Sequence, residues 1–150
     1  MHTVVFDGTL YNATDVAVNF ANAPTVAYSG EIDKQKQAAD IMMEYLGREG
    51  LPLRHLIGPQ TAHKYHPDTR LELIRLLEEQ LARGRPAVPE EIRFTTHTLR
   101  YADSAWVRVE ALGRHWERAD VRARLADSGQ LLTAETKNVA AQIGRASCRE

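Results

Sequence analysis

Residues 25–33 read TVAYSGEID, an apolar run that is expected to turn at its serine and glycine and that ends on two carboxylates. A short continuous apolar run bounded by turn residues is typical of a fully buried strand, and Pro24 to Tyr28 fit that description. Glu31 and Asp33 therefore follow the carboxyl end of the strand. In open α/β sheets this end gathers ligands and catalytic groups, because the loops leaving the strands converge there on one crevice.

A helix and a second strand follow. From Lys34 the sequence KQKQAADIMMEYLGREG repeats its apolar residues at helical spacing and closes near Gly47 or Gly50, which predicts a helix. The sequence LPLRHLIGP predicts a short strand at about residues 53–57, stopped by glycine and proline. The order from Pro24 onward is thus strand, helix, strand.

A second helix is predicted in DTRLELIRLLEEQLARG, ending near Gly84. Thr69 and Glu72 have the spacing of a capping box. One apolar stripe is formed by Leu73, Ile74, Leu77 and Leu81. Strands that alternate with helices imply parallel strands joined by right-handed crossovers, so residues 1–84 predict an α/β domain.

The period changes to two after the proline-rich segment GRPAVPEE. The stretches IRFTTHTLRY, WVRVEAL and VRARLADSG alternate, and the last leads to a predicted turn at Gly129 before LLTAETKNVAA. Residues 85–142 therefore predict a separate antiparallel β-rich unit. Trp106 and Trp116 are expected to pack it, and a solvated sheet face is expected for Arg93, Arg108, Arg118, Arg122 and Arg124.

Composition limits the function classes. The 150 residues are 43% hydrophobic, and 19 basic and 20 acidic residues give a net charge of −1, without the basic footprint of a nucleic-acid binder. The expected partner is small or neutral. No apolar run is long enough for a membrane span, and the amino terminus lacks the pattern of a secretion signal. Localisation and oligomeric state stay open.

The carboxyl-terminal residues 143–150, IGRASCRE, resemble the translation of a short-read sequencing adapter. We expect the natural sequence to be cut near Gln142 and the last eight residues to be an artefact. The alternative is an ordinary frayed terminus. The single cysteine, Cys148, lies in this tail and excludes an internal disulfide framework.

Asp33 and His63 are the candidate catalytic residues. Asp33 follows the first buried strand and His63 lies in the loop after the second, so both are expected at the same sheet edge. A carboxylate there can accept the Nδ1 proton of an imidazole, fix its tautomer and leave Nε2 free as a base. In an α/β hydrolase the chain order is serine, acid, histidine, and these two match the last two members.

The segments PTVAYSGEIDKQKQAADIMMEYLGREG and LIGPQTAHKYHPDT resemble the final strands and helices of prolyl oligopeptidase-type serine hydrolases, over about residues 15–84. The resemblance implies the carboxyl-terminal strand-helix-strand-helix portion of an α/β-hydrolase sheet. It makes Asp33 the acid of the triad and His63, after the small Ala62, the histidine. The unit beyond residue 85 resembles a carboxyl-terminal extension of some bacterial relatives. The resemblance implies a small-molecule or peptide substrate and no cofactor.

The nucleophile is missing from this pattern. A nucleophile elbow reads G-x-S-x-G, and none of the four serines, Ser29, Ser104, Ser128 and Ser147, has that context. We therefore expect a fragment of a peptidase or esterase that carries the acid and the histidine but lacks the serine and the oxyanion hole. The alternatives are a non-catalytic module of α/β and β-sandwich parts that binds a glycan or protein, and a hydrolase relative without its nucleophile.

Other readings of the site residues stay open. Asp33 is also a preferred residue for capping the following helix. His66 either orients the loop or replaces His63 as the base. His63 and His66 have a spacing compatible with metal binding, but a zinc site needs three or four ligands, and no Cys or H-E-x-x-H pattern supplies them. No metal is therefore expected.

Overall fold

The computed structural model describes residues 3–6, 9–126 and 131–144, with side chains from residue 13 onward. The chain divides between Arg85 and Pro86 into two compact units, which we call unit 1 and unit 2. Unit 1 is a mixed α/β unit around a short two-stranded parallel sheet, and unit 2 consists of two small antiparallel sheets.

Unit 1 is built around two parallel strands. A hairpin of β1 (Thr3–Phe6) and β2 (Thr9–Asn12) leads into a kinked 3-10 segment. The central strands and their helices are β3 (Val26–Gly30), α1 (Lys36–Arg48), β4 (Arg54–Gly58) and α2 (Pro67–Arg83). The parallel pairing of β3 with β4 confirms the arrangement expected from the alternation of strands and helices.

The two helices contact side chains from opposite faces of this sheet. Successive side chains of a strand point to opposite faces. His55 of β4 approaches Asp40 of α1, whereas its neighbour Arg54 forms an ion pair with Glu72 of α2. The two helices therefore lie on opposite faces of the strand pair, as expected for helices that connect parallel strands.

Two local predictions are wrong. The strand β3 does not turn at the serine and glycine but continues through Gly30, which pairs with Gly58 of β4. The capping box does not form, because α2 begins at Pro67 with His66 as its N-cap. Proline suits the first helical position, since its missing N–H would have no partner there. Thr69 instead donates its hydroxyl to the Ile57 carbonyl, at 3.4 Å.

The predicted apolar stripe of α2 is largely exposed. No residue of α2, all of which the structure describes, is buried, and Leu81 is 80% exposed. In α1, by contrast, Leu46 is 1% exposed. Helix stability in proteins comes mainly from packing an apolar face, so α1 is the better anchored of the two.

Unit 2 contains two three-stranded antiparallel sheets. One has the order β5-β8-β9 and the other β10-β7-β6. The strands are β5 (Glu91–Thr96), β6 (Asp103–Ser104), β7 (Val107–Leu112), β8 (Ala119–Ala126), β9 (Leu131–Lys137) and β10 (Val139–Gly144). The segment Leu99–Tyr101, predicted to continue the first strand, is a 3-10 turn.

The core of unit 2 lies between the apolar sides of its strands. It contains Ile92, Phe94, Trp106, Val107, Val109, Val121 and Ala123. The alternation predicted in β8 is confirmed, because Val121 and Ala123 are buried while Arg122 and Arg124 are exposed. Trp106 packs as expected and donates its indole N–H to the Pro89 carbonyl, at 2.7 Å. Trp116 is 37% exposed and does not belong to this core.

Two features of the sequence analysis lie outside the described residues, namely the predicted turn at Gly129 and the single cysteine, Cys148. Ile143 and Gly144 lie in β10, opposite Arg108 and Val107 of β7. Residues 145–150 are not described, and the adapter origin of residues 143–150 stays a prediction. In the part of the chain that the structure describes, no helix combines the length and apolar character needed to cross a bilayer.

Candidate active site

Asp33 is held at the carboxyl end of β3 by hydrogen bonds to both of its carboxylate oxygens. Oδ1 accepts the backbone N–H of Gln35 at 2.8 Å, and Oδ2 lies 2.9 Å from Nδ1 of His63. The first contact is the local Asx turn that leads into α1. Gln35 is the N-cap of α1 and no side chain caps the helix, so the prediction that Asp33 caps it is wrong. The second oxygen of Asp33 is the one that meets His63.

These contacts set the charge of Asp33. The donated N–H of Gln35 and then the hydrogen bond to His63 hold the pKa of the Asp33 carboxyl below its usual value, against a smaller opposing effect of desolvation. The carboxylate is therefore ionised at neutral pH. An ionised carboxylate on Nδ1 favours the imidazole tautomer that carries its proton there.

His63 lies in the loop after β4 and presents its ring to solvent. Its side chain is 79% exposed, whereas that of Asp33 is only 12% exposed. With Nδ1 turned to the carboxylate, Nε2 is the nitrogen that remains accessible to a proton donor or acceptor. The juxtaposition expected from the sequence is therefore observed, at the carboxyl ends of two parallel strands.

The close approach of the two loops depends on Gly30. A Cβ at this position would lie 2.1 Å from the carbonyl oxygen of Thr61 and 2.2 Å from that of Ala62. Both are backbone atoms, which cannot rotate away as the tip of a flexible side chain can. Glycine is thus required here for space, which explains the glycine at the end of the strand that leads to Asp33.

Hydrogen bonds join the turn after β3 to the loop after β4. The N–H of Glu31 donates to the Gly58 carbonyl at 2.9 Å, and that of Ile32 donates to the Thr61 carbonyl at 3.1 Å. The Glu31 carboxylate accepts the N–H of Gln60 at 2.8 Å. These contacts fix the segment just before His63 against the segment just before Asp33.

His66 has a different environment from His63. It is the N-cap of α2, and its backbone N–H donates to the Tyr28 hydroxyl at 2.7 Å. Its Nδ1 is buried and has no hydrogen-bond partner within the described residues. The carboxylate of Asp33 is engaged by His63 instead, so this geometry favours His63 over His66 as the base.

A second histidine cluster was missed by the sequence reasoning. His55 of β4 places Nε2 2.9 Å from the Ser29 hydroxyl and Nδ1 3.6 Å from Asp40 of α1. Burial lowers the pKa of His55, an effect that Asp40 opposes and Lys36 reinforces. The parallel register of β3 and β4 would have revealed this cluster, because it pairs Ala27 with His55 and so places Ser29 and His55 on the same face of the sheet.

This cluster is enclosed between the sheet and α1. Ser29 is 8% exposed and the side chain of His55 is 6% exposed. A serine hydroxyl in mid-strand lacks the sharp strand-to-helix turn that exposes a nucleophile. The cluster therefore joins β3, β4 and α1 through polar contacts, and it satisfies groups that would be costly to bury alone.

Metal binding has no support from the geometry. Over residues 13–126 and 131–144, whose side chains are described, no group of three or more His, Cys, Asp or Glu side chains could hold an ion. The pair His63 and His66 is divided, since His63 contacts Asp33 and His66 caps α2.

Comparisons of the chain with models of protein families, with curated proteins and with solved structures found no significant match.

Proposed function

We propose that Asp33 and His63 are the acid and the base of a serine hydrolase of the prolyl oligopeptidase type, and that another segment of polypeptide supplies the serine. The observation that carries the proposal is the 2.9 Å contact between His63 Nδ1 and Asp33 Oδ2 at the carboxyl edge of parallel strands. In this reading unit 1 is the carboxyl-terminal portion of an α/β-hydrolase domain, and unit 2 is a β-rich accessory unit.

The mechanism follows from the two ends of the imidazole. Nε2 of His63 takes the proton of the serine hydroxyl while the serine oxygen attacks the acyl carbon of a peptide or ester. Asp33 stabilises the resulting imidazolium without taking its proton. The imidazolium then protonates the leaving group. In the second half, Nε2 takes a proton from water as the water oxygen attacks the acyl carbon, and the imidazolium returns that proton to the serine oxygen as the acid product departs.

Ser29 is not proposed as the nucleophile, although its hydroxyl contacts His55. Ser29 is 8% exposed within β3, so its hydroxyl is not presented to a substrate. The exposed His63 is instead available to a hydroxyl that approaches from outside unit 1. The exposed apolar stripe of α2 and the two-stranded sheet are consistent with a portion of a larger α/β domain, because parallel sheets are normally wider.

A non-catalytic binding module is the alternative. In such a module, the Asp33–His63 pair would serve only to join the two loops. Upstream sequence distinguishes the two functions, since an apolar strand followed by G-x-S-x-G supports the hydrolase and its absence supports the module.

The proposal is tested by labelling with a fluorophosphonate, which reacts with activated serines. We expect no labelling of the 150-residue chain and strong labelling of a longer product of the same locus at a G-x-S-x-G serine. His63→Ala should abolish that labelling, and Ser29→Ala, the matched control, should leave it unchanged. Labelling of the 150-residue chain that disappears with Ser29→Ala would contradict the proposal and move the nucleophile to β3.

A further inference from the structure

The loop that carries His63 is held on its far side by one residue of β3, Tyr28. The Tyr28 hydroxyl donates to the Lys64 carbonyl at 3.0 Å and accepts the N–H of His66 at 2.7 Å. These two residues follow His63 in the loop. The hydroxyl therefore acts as a hydrogen-bond bridge just beyond the histidine.

The contacts before His63 and after it come from the same strand and its turn. Ile32, in the turn that follows β3, binds the carbonyl of Thr61, and Tyr28 within β3 binds the residues beyond His63. Asp33 belongs to this turn as well. One continuous segment, residues 28–33, thus contains Asp33 and makes the hydrogen bonds on either side of His63. This segment therefore sets the distance between the Asp33 carboxylate and the His63 imidazole.

Gly58 makes room for the hydroxyl. A Cβ at this position would lie 2.2 Å from the Tyr28 hydroxyl oxygen and 2.9 Å from Cβ of His66. The backbone of Gly58 is not in the left-handed region, so its requirement is for space alone. The position of the Tyr28 hydroxyl therefore depends on a glycine at the end of β4.

We propose that Tyr28 is a positioning residue whose hydroxyl holds His63 so that Nδ1 meets Asp33. The proposal rests on the proposed function, and it adds a residue that touches neither the substrate nor the serine. It contrasts with a role in packing alone, in which the Tyr28 ring would act through its contact with Tyr65, with ring centroids 4.7 Å apart.

The test separates the hydroxyl from the ring. Tyr28→Phe keeps the ring and removes both hydrogen bonds, and Tyr65→Phe is the matched control, because its ring belongs to the same pair and its hydroxyl is not part of the bridge. The readout is the tautomer of the His63 imidazole in the 150-residue chain. It is measured from ring nitrogen chemical shifts at a pH well above about 6.5, where histidine is neutral. The His63→Ala spectrum assigns the signal among the six histidines.

We expect the Nδ1–H tautomer to dominate in the wild-type chain. In Tyr28→Phe its ratio to the Nε2–H tautomer should fall about fivefold, because weakening the contact between His63 and Asp33 costs the equivalent of one net hydrogen bond. Tyr65→Phe should leave the ratio unchanged. Gly58→Ala, which displaces the hydroxyl from the other side, should lower the ratio as Tyr28→Phe does.

A wild-type ratio in Tyr28→Phe would overturn the positioning role, provided that Asp33→Asn changes the ratio. If Asp33→Asn also leaves the ratio unchanged, the acid–histidine pair itself fails, and the proposed function fails with it. A lowered melting temperature with an unchanged ratio in Tyr28→Phe would also overturn the positioning role, because the hydroxyl would then stabilise the loop without setting the orientation of His63.

Discussion

The change Gly30→Ala tests the account of how the two loops meet. The added methyl would lie 2.1 Å from the Thr61 carbonyl oxygen and 2.2 Å from that of Ala62. Because nonbonded carbon contacts are comfortable only beyond roughly 3.5 Å, the loop after β4 would have to retreat by about 1 Å or more. His63 is the next residue of that loop and would move with it.

The expected cost combines strain and lost hydrogen bonds. Overfilling a packed site costs about 1–3 kcal/mol. The retreat also weakens the bonds from Glu31 to Gly58 and from Ile32 to Thr61, each worth about 1 kcal/mol. We therefore expect Gly30→Ala to lower the free energy of unfolding of unit 1 by about 3 kcal/mol.

Urea unfolding of the 150-residue chain measures this cost, because each unit has its own probe. Within the described residues both α-helices lie in unit 1, so circular dichroism at helical wavelengths follows unit 1. Both tryptophans lie in unit 2 and report on it by fluorescence. With a urea dependence of about 1 kcal/mol/M, the midpoint of unit 1 should fall by about 3 M. The fluorescence midpoint should not move.

Gly47→Ala is the matched control. This glycine lies within α1, and no atom lies within 4 Å of an added Cβ. Alanine in a helix is more favourable than glycine by up to about 1 kcal/mol, so the midpoint of unit 1 should rise. A Gly30→Ala chain with the wild-type midpoint of unit 1 would refute the close approach on which the site geometry depends.

Three further predictions concern pH and packing. Burial lowers the pKa of His55 below 6.5, so the unfolded chain binds the proton at a higher pH than the folded chain does. The urea midpoint of unit 1 should therefore fall as the pH drops below 6.5 and level off below the folded-state pKa. His55→Gln should flatten this pH dependence. Hydrogen bonds donated to Asp33 hold its pKa below 3.8. Its contribution to the free energy of unfolding of unit 1 should therefore persist above pH 3.8 and disappear as the pH falls through the folded-state pKa. In an acid titration, Asp33→Asn should not show this loss of stability. Ile92→Ala, at a side chain 1% exposed, should destabilise unit 2 by about 2–5 kcal/mol by tryptophan fluorescence, whereas Leu81→Ala, 80% exposed, should leave the midpoint of unit 1 within about 0.5 kcal/mol of wild type.

Local patterns in the sequence were sufficient for the main elements of both units. The apolar run before Ser29 predicted a strand, the helical spacing after Lys34 predicted α1, and the alternation around Val121 predicted β8. Each of these signals is carried by neighbouring residues, so it survives without knowledge of the tertiary structure. The position of Asp33 at a strand end followed from the same local reading.

The remaining features depend on contacts between distant residues. The His55 cluster requires the register of β3 against β4, which no local pattern specifies. The bridge from Tyr28 joins residues 36 and 38 positions apart along the chain. The capping box at Thr69 was a valid local signal that lost to Pro67, because proline at the first helical position competes for the same helix start.

The most direct test of the central claim is the turnover number of the longer hydrolase that the proposal requires, measured on an activated ester with single histidine variants. His63→Ala should lower kcat by about three to four orders of magnitude or more, because the general base is lost. His66→Ala should lower it far less, since His66 caps α2 and does not contact Asp33. Near-wild-type kcat in both His63→Ala and Asp33→Asn would contradict the account and reduce the Asp33–His63 contact to a link between two loops.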